Sequence, residues 1–215
     1  MPPITTDPTL LILTAVLAYL LGSVPFGVVL TRMMGLGDLR QIGSGNIGAT
    51  NVLRTGNKLA AALTLLLDGA KGAVAVLIAQ WFLGEDAAQL AGLAAFLGHL
   101  YPVWLGFKGG KGVATFLGIL LALNWLVGLA VCATWLVVAL VMRVSSIAAL
   151  LAAASTALWM LFFGDGRFLI LALILTVLIY VRHSANLARI KAGTEPRIGQ
   201  KKQAAVETEG PSSAG

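Results

Sequence analysis

The stretch Leu10-Leu-Ile-Leu-Thr-Ala-Val-Leu-Ala-Tyr-Leu-Leu-Gly-Ser-Val-Pro-Phe-Gly-Val-Val-Leu-Thr-Arg32 carries no charged side chain before its final arginine. About 20 such residues are what an α-helix needs to cross the ~30 Å hydrocarbon core of a bilayer. The run is too long for a signal-peptide core, and Met1 to Thr9 hold no Lys or Arg, so it is expected to stay as a span with its N-terminus outside. Working outward, apolar stretches recur near 57–83, 87–105, 112–124, 126–142, 147–163 and 166–187, which with 10–32 predict about seven transmembrane helices. The fourth, 112–124, is short and predicts a half-length or protein-shielded helix. Five spans is the alternative count. With 58% hydrophobic residues, 11% charged residues and a mean hydropathy of +0.90 over 215 residues, a soluble domain is excluded and an all-α integral membrane protein is expected.

The formal charge of +6 reads as membrane orientation rather than as affinity for nucleic acid. Every Lys and Arg outside the spans falls on one side except Arg167, which puts that side, and the C-terminus with it, in the cytoplasm. The opposite turns, Gly84-Glu-Asp86, Asn124-Trp125 and Gly164-Asp-Gly166, are short, with Trp81, Trp125 and Trp159 near that interface. Residues 1–199 are read as a single polytopic domain. The small, polar stretch from Gln200 to Gly215 is expected to be a disordered, dispensable cytoplasmic tail. The single cysteine, Cys132, lies in an apolar run, so neither a disulfide framework nor a thiolate metal cluster is expected.

Two polar, glycine-rich loops interrupt this apolar chain. In Gly43-Ser-Gly-Asn-Ile-Gly-Ala-Thr-Asn51, the side chains of Ser44, Asn46, Thr50 and Asn51 cluster just before Arg54, and Gly43, Gly45 and Gly48 permit a tight path with several N–H groups facing one point. A helix starting near Asn51 would add its N-terminal dipole. In Gly106-Phe-Lys-Gly-Gly-Lys-Gly-Val-Ala-Thr115, Lys108 and Lys111 bracket Gly109 and Gly110, and Gly112 opens the short fourth span. Both loops have the chemistry of anion capture, most naturally of phosphate. The second is not a nucleotide-binding P-loop, since Leu105 stands where the first glycine belongs and Gly112 where a Ser or Thr would bind magnesium.

Near the cytoplasmic end of the last span, His183, Asn186 and Arg189 recur every three residues, which places them on one helical face as a base or donor, an orienting amide and a phosphate contact. Ser145 and Ser146 follow Arg143 at the preceding cytoplasmic turn, where one hydroxyl is expected to cap a helix and the other to meet phosphate. Asp68 and Lys71, three apart inside the second span, are expected to pair. His99 is read as a hydrogen-bonded packing residue. Asp68-Gly-Ala begins like the motif of metal-dependent alcohol phosphotransferases, but no further Asp follows at helical spacing.

Ser44-Gly-Asn-Ile-Gly-Ala-Thr-Asn-Val-Leu-Arg54, Gly98-His-Leu-Tyr-Pro-Val-Trp-Leu-Gly-Phe-Lys-Gly-Gly-Lys-Gly-Val-Ala-Thr115, and His183-Ser-Ala-Asn-Leu-Ala-Arg189 with Gly193-Thr-Glu195, in this order, resemble the signatures of the bacterial acyl-phosphate-dependent glycerol-3-phosphate acyltransferase family. The resemblance covers the chain from the first span to Glu195. It implies a seven-span enzyme of the bacterial inner membrane, with its active site on the cytoplasmic side, that moves a fatty acyl group from acyl phosphate to the 1-hydroxyl of glycerol 3-phosphate. The products would be lysophosphatidate and inorganic phosphate, for phospholipid biosynthesis. It implies no cofactor, no metal, no acyl-CoA and no acyl carrier protein. The substrates would be met from within the membrane lipid, and no nucleic acid or obligatory protein partner is expected. By motif match, Ser44, Arg54, Lys111, His183 and Asn186 would be catalytic. Gly45, Asn46, Thr50, Asn51, Lys108, Gly109, Gly110, Gly112, Ser146 and Arg189 would hold substrate phosphate. An organophosphate or small-anion transporter is the competing reading, opposed by the gathering of polar motifs at one membrane face and by the lack of an inverted repeat.

Overall fold

The computed structural model describes residues 2–199, so the tail expected from Gln200 onward lies outside the described residues. Ten helices and three short 3-10 turns, with no strand among the described residues, form the bundle. The first span is broken in two. Helix α1 (Pro8–Gly22) begins with Pro8 behind Asp7, whose carboxylate accepts the N–H groups of Thr9 and Leu10. It stops before Pro25, which lacks an N–H, and α2 (Phe26–Met33) continues beyond it. Together they make a 26-residue apolar stretch.

The polar segment that follows contains α3 (Ala49–Val52) and is not a free loop. Leu39, Ile47 and Val52 are buried with Val28 of α2 and with Ala60 and Ala61 at the start of α4 (Lys58–Phe82), a second small core that fixes the segment beneath the bundle. Asn57 caps α4 by accepting the N–H of Ala60 at 2.9 Å. Helix α5 (Glu85–Leu100) is the central element, packed against α1, α4, α6 and α9, with Ala87, Ala88, Ala91, Ala94 and Ala95 buried. Helices α6 (Val113–Leu123), α7 (Trp125–Met142) and α8 (Ser145–Phe162) follow as one short and two long apolar helices.

Helix association in lipid relies on close approach rather than on hydrophobic force, and small residues at the contacts permit it. A Cβ at Gly118 of α6 would strike the carbonyl of Gly69 of α4, and one at Gly98 of α5 would strike the carbonyl of Tyr19 of α1. The outward faces hold exposed Leu, Val, Ile, Phe and Trp, as a lipid-facing surface should.

Five stretches are long and apolar enough to cross a membrane alone, and the bent pair α9 (Leu169–Arg182) and α10 (Ser184–Lys191) adds a sixth. The seventh apolar stretch, α6, is 11 residues long, matching the short helix expected at 112–124. The last span departs from expectation: the chain turns by 60° at His183 instead of running straight to 187. The Ile179 carbonyl there meets both the backbone N–H of His183, at 3.0 Å, and its ring Nδ1, at 2.8 Å. A side chain inserted into the hydrogen-bond ladder is a recognised origin of kinks.

The turns divide cleanly between two ends. At one, Thr6 donates to Asp86, Arg167 to Glu85, and Asn124 to Asp165. At the other lie both glycine loops, the α7–α8 turn and α10.

Candidate active site

Five segments meet at the second end. Lys111 Nζ donates to Asn186 Oδ1 at 2.5 Å, joining the second glycine loop to α10. Asn186 Nδ2 donates to Glu195 Oε1, which also accepts from Ser146 Oγ at 2.7 Å. Arg189 Nε donates to Glu195 Oε2 at 2.7 Å. Glu195 therefore gathers α8, α10 and the segment after α10 around one carboxylate. Burial works to raise its carboxyl pKa, but hydrogen bonds from Ser146, Asn186 and Arg189 outweigh it and hold the group below its usual range. Ile198 N donates to the carbonyl of Arg143 at 2.7 Å, pinning that segment to the α7–α8 turn.

The first loop docks beside this hub. Thr50 Oγ1 and Ser145 Oγ lie 3.2 Å apart. Arg54 Nη1 donates to Asn51 Oδ1, and its side chain lies over Gly43. Lys111 is the focus of the charges. Its pKa is pushed down to about 8, first by burial, which the field of Glu195 opposes and those of Arg189, Arg54 and Arg182 reinforce. A concentration of cations with one carboxylate is the electrostatic setting in which a phosphate dianion is welcome.

The sequence-predicted residues thus have different fates. Lys111, Asn186, Ser146 and Arg189 are joined through Glu195, whereas Arg54 bonds within the first loop and reaches Lys111 only through its field. The Ser44 hydroxyl also stays in that loop, on Asn51, and Thr50 meets Ser145 beside the hub. Both serines of the tandem are engaged, Ser146 at the hub and Ser145 with Thr50. Asn51 is buried, its amide donating to the carbonyls of Leu39 and Ile42 and accepting from the backbone N–H of Ser44, so it braces the loop. Gly112 packs beneath Phe96 and Lys108 is exposed, while Asn46 and Gly45 lie along the first loop.

Part of the expected cradle of N–H groups is already engaged within the loops. Ser44 N–H points to Asn51, and those of Gly45, Lys108, Gly109 and Gly110 already serve the carbonyls of Ile42, Leu105, Leu100 and His99. Helix α3, with four residues and a start at Ala49, is too short to supply the dipole expected from Asn51. The positive field comes instead from side chains. His183 sits at the bend and opens α10, with Asn186 and Arg189 three and six residues further along. Its ring is buried, and with Nδ1–H directed at the Ile179 carbonyl, Nε2 is left as an acceptor.

Two residues escaped the sequence reading. Glu195 had a signal, as the acid two residues after the glycine that follows α10. Arg182, to which that reading assigned no role, donates from Nη2 to the Gly109 carbonyl at 2.9 Å and from Nε to that of Gly110 at 3.1 Å, holding the second loop. Among the described residues no three His, Cys, Asp or Glu side chains gather as a metal set would. An apolar cavity of about 160 Å³, lined by Pro2, Leu11, Leu93 and Ile174, lies between α1, α5 and α9 toward the opposite end and contributes nothing to this cluster.

A multi-pass helical membrane protein whose polar loops converge on a half-buried ammonium and several guanidinium groups belongs to the class that handles phosphorylated substrates at a lipid surface. Residues 12–193 match the family model described as glycerol-3-phosphate acyltransferase. A glycerol-3-phosphate acyltransferase of Cereibacter sphaeroides is 67% identical over 94% of this chain and 96% of its own, and one of Ruegeria pomeroyi is 65% identical over 94% and 99%. The crystal structure of PlsY (YgiH), an integral membrane glycerol 3-phosphate acyltransferase in its glycerol 3-phosphate form, aligns with a TM-score of 0.83 and 41% identity, covering 88% of this chain and 96% of that one. Its lysophosphatidic acid form aligns at 0.81. The chain belongs to the glycerol-3-phosphate acyltransferase family, and it is an acyltransferase. The transporter alternative is set aside by that membership.

Proposed function

We propose that this protein transfers a fatty acyl group from acyl phosphate to the 1-hydroxyl of glycerol 3-phosphate, yielding lysophosphatidate and inorganic phosphate for phospholipid synthesis. The observation that carries the reading is Lys111 held on Asn186 within the fields of Arg54, Arg182 and Arg189. Both substrates bear phosphate, and in each the charge must be neutralised before the two can approach. Lys111 and Arg54 supply that charge, and the hydroxyls of Ser44 and Ser146, which here donate to Asn51 and Glu195, would turn to the substrate when it binds. The glycerol oxygen attacks the acyl carbon, the bond from that carbon to the phosphate oxygen breaks, and the hydroxyl proton passes to the departing phosphate. No enzyme nucleophile is needed, since phosphate is already a good leaving group.

The donor is decided by giving purified protein glycerol 3-phosphate with acyl phosphate, acyl-CoA or acyl carrier protein thioester and scoring lysophosphatidate. Product from acyl phosphate alone is expected. Product from a thioester alone would refute the assignment.

His183 is assigned the role of orienting the glycerol hydroxyl through its Nε2 acceptor, with substrate phosphate as the base. His183→Ala is then expected to raise KM for glycerol 3-phosphate and to keep kcat within about 10²-fold, below the span general-base loss reaches. Loss of nearly all turnover at saturating substrate would make His183 the base.

The same reading places the site on the cytoplasmic side of the bacterial inner membrane and the N-terminus outside, supported by the distribution of Lys and Arg. Seven apolar helical stretches support seven crossings, with residues 1–199 as one domain and the tail dispensable.

A further inference from the structure

Deep in the bundle, beneath the second glycine loop, three ionisable side chains meet that the reaction above does not use. Lys71 Nζ lies 2.8 Å from Asp68 Oδ1 and donates at 2.8 Å to the Val24 carbonyl, which the break in the first span leaves without a helical partner. His99, at the end of α5, faces them with Nδ1 3.7 Å from Asp68 Oδ1, beyond hydrogen-bonding reach, and that nitrogen is buried without a partner. Asp68, Lys71 and His99 are each 4% exposed or less. Charged and polar groups at such depth are costly, and packing alone would be served better by a leucine.

The other edge of the imidazole explains its presence. A Cβ at Gly110 would collide with His99 Nε2, so the ring lies against the Gly110 backbone. The Gly110 N–H also donates to the His99 carbonyl at 3.1 Å. Gly110 is thus gripped from below by both the backbone and the ring of one residue, and Lys111 is the next residue along. We propose that His99 is a positioning residue: packed between the Asp68–Lys71 ion pair and the second glycine loop, its ring sets through Gly110 where the Lys111 ammonium stands. The inference rests on the reading that Lys111 contacts substrate phosphate.

The test compares variants of the full-length protein that remain monodisperse in detergent, measuring KM for glycerol 3-phosphate and for acyl phosphate separately. Lys111→Ala identifies which KM depends on the ammonium, with Lys111→Arg as reference should the alanine variant be too slow to titrate. His99→Ala is expected to raise that same KM by about tenfold or more, as displacement of a binding group by a fraction of an ångström does, and to spare the other. His99→Gln, long enough to reach Gly110, should restore it. His99→Asn, which keeps a group toward Asp68 but falls short of Gly110, should not. A residue with only a structural role would lower thermal stability without singling out one substrate. An unchanged KM in His99→Ala, or equal rises for both substrates, overturns the proposal. If His99→Ala does not fold, equal KM values in the Gln and Asn variants overturn it. Should neither Lys111 variant move either KM, the phosphate reading fails and this inference falls with it. A raised KM in the Lys111 variants beside a normal one in His99→Ala removes only the positioning role.

Discussion

Replacing Lys111 by alanine is expected to lower kcat/KM by about 10²–10³, the loss seen when one preorganised charge-stabilising donor is removed from an active site. The ammonium is the point at which the second glycine loop touches α10, through Asn186, and at which the fields of Glu195 and three arginines overlap. Its pKa of about 8 gives a second handle. Lysine is charged below its pKa, so phosphate binding to the free enzyme weakens as pH rises through about 8, and kcat/KM should fall there. Lys111→Arg, whose guanidinium does not titrate in that range, should remove this alkaline fall while lowering the maximum, because a planar fork does not reproduce the single bond to Asn186. A Lys111→Ala enzyme within about threefold of the unaltered protein, or an alkaline limb that survives in the arginine variant, would take Lys111 out of the site.

The second large effect is expected at Glu195. Its side chain is 9% exposed and accepts from Ser146, Asn186 and Arg189. Alanine there leaves those donors unpaired in a half-buried setting, which costs about 1–3 kcal/mol of stability for an orphaned group. It also frees Asn186, and with it Lys111, so kcat/KM should drop by about 10². Glutamine keeps an oxygen for Ser146 and Asn186 but loses the ion pair with Arg189, and an intermediate loss, about tenfold, is expected. Thermal unfolding and steady-state kinetics of the two variants check this. If Glu195→Gln instead bound glycerol 3-phosphate more tightly, the carboxylate would be a competitor for the phosphate donors rather than their organiser.

Much of this architecture was legible in the residues. Runs of apolar side chains marked the spans, and the short run at 112–124 marked the half-length helix, because length against bilayer thickness is a one-dimensional property. The composition of the loops also marked which segments gather at one end around Lys111 and Glu195, since glycine, hydroxyls, amides and cations stand out against an apolar chain. What stayed hidden depends on partners distant in the chain. No pattern shows that the N–H groups of Gly109 and Gly110 meet the carbonyls of Leu100 and His99, or that Asn51 turns inward to tie Leu39 and Ile42. The bend at His183 arises from a ring competing for the Ile179 carbonyl, which helical periodicity cannot register. Glu195 was visible as an acid but not as a hub, because its meaning comes from Ser146, 49 residues earlier.

Helix α6 has 11 residues, so at ~1.5 Å each it covers about 16 Å, roughly half the oily thickness a full crossing would bridge. Its far end, at Asn124, is tied to Asp165 among the opposite turns, so its near end, two residues after Lys111, falls well short of the watery boundary. The ammonium, two residues before that near end, is thus set below the level at which a full-length helix would finish. On the function proposed above, a head group dissolved in water would have to come down to it, and a chain anchored in the bilayer would meet it from the side. Extending α6 by a full turn would carry Lys111 away from Asn186 and undo the meeting of the second glycine loop with α10.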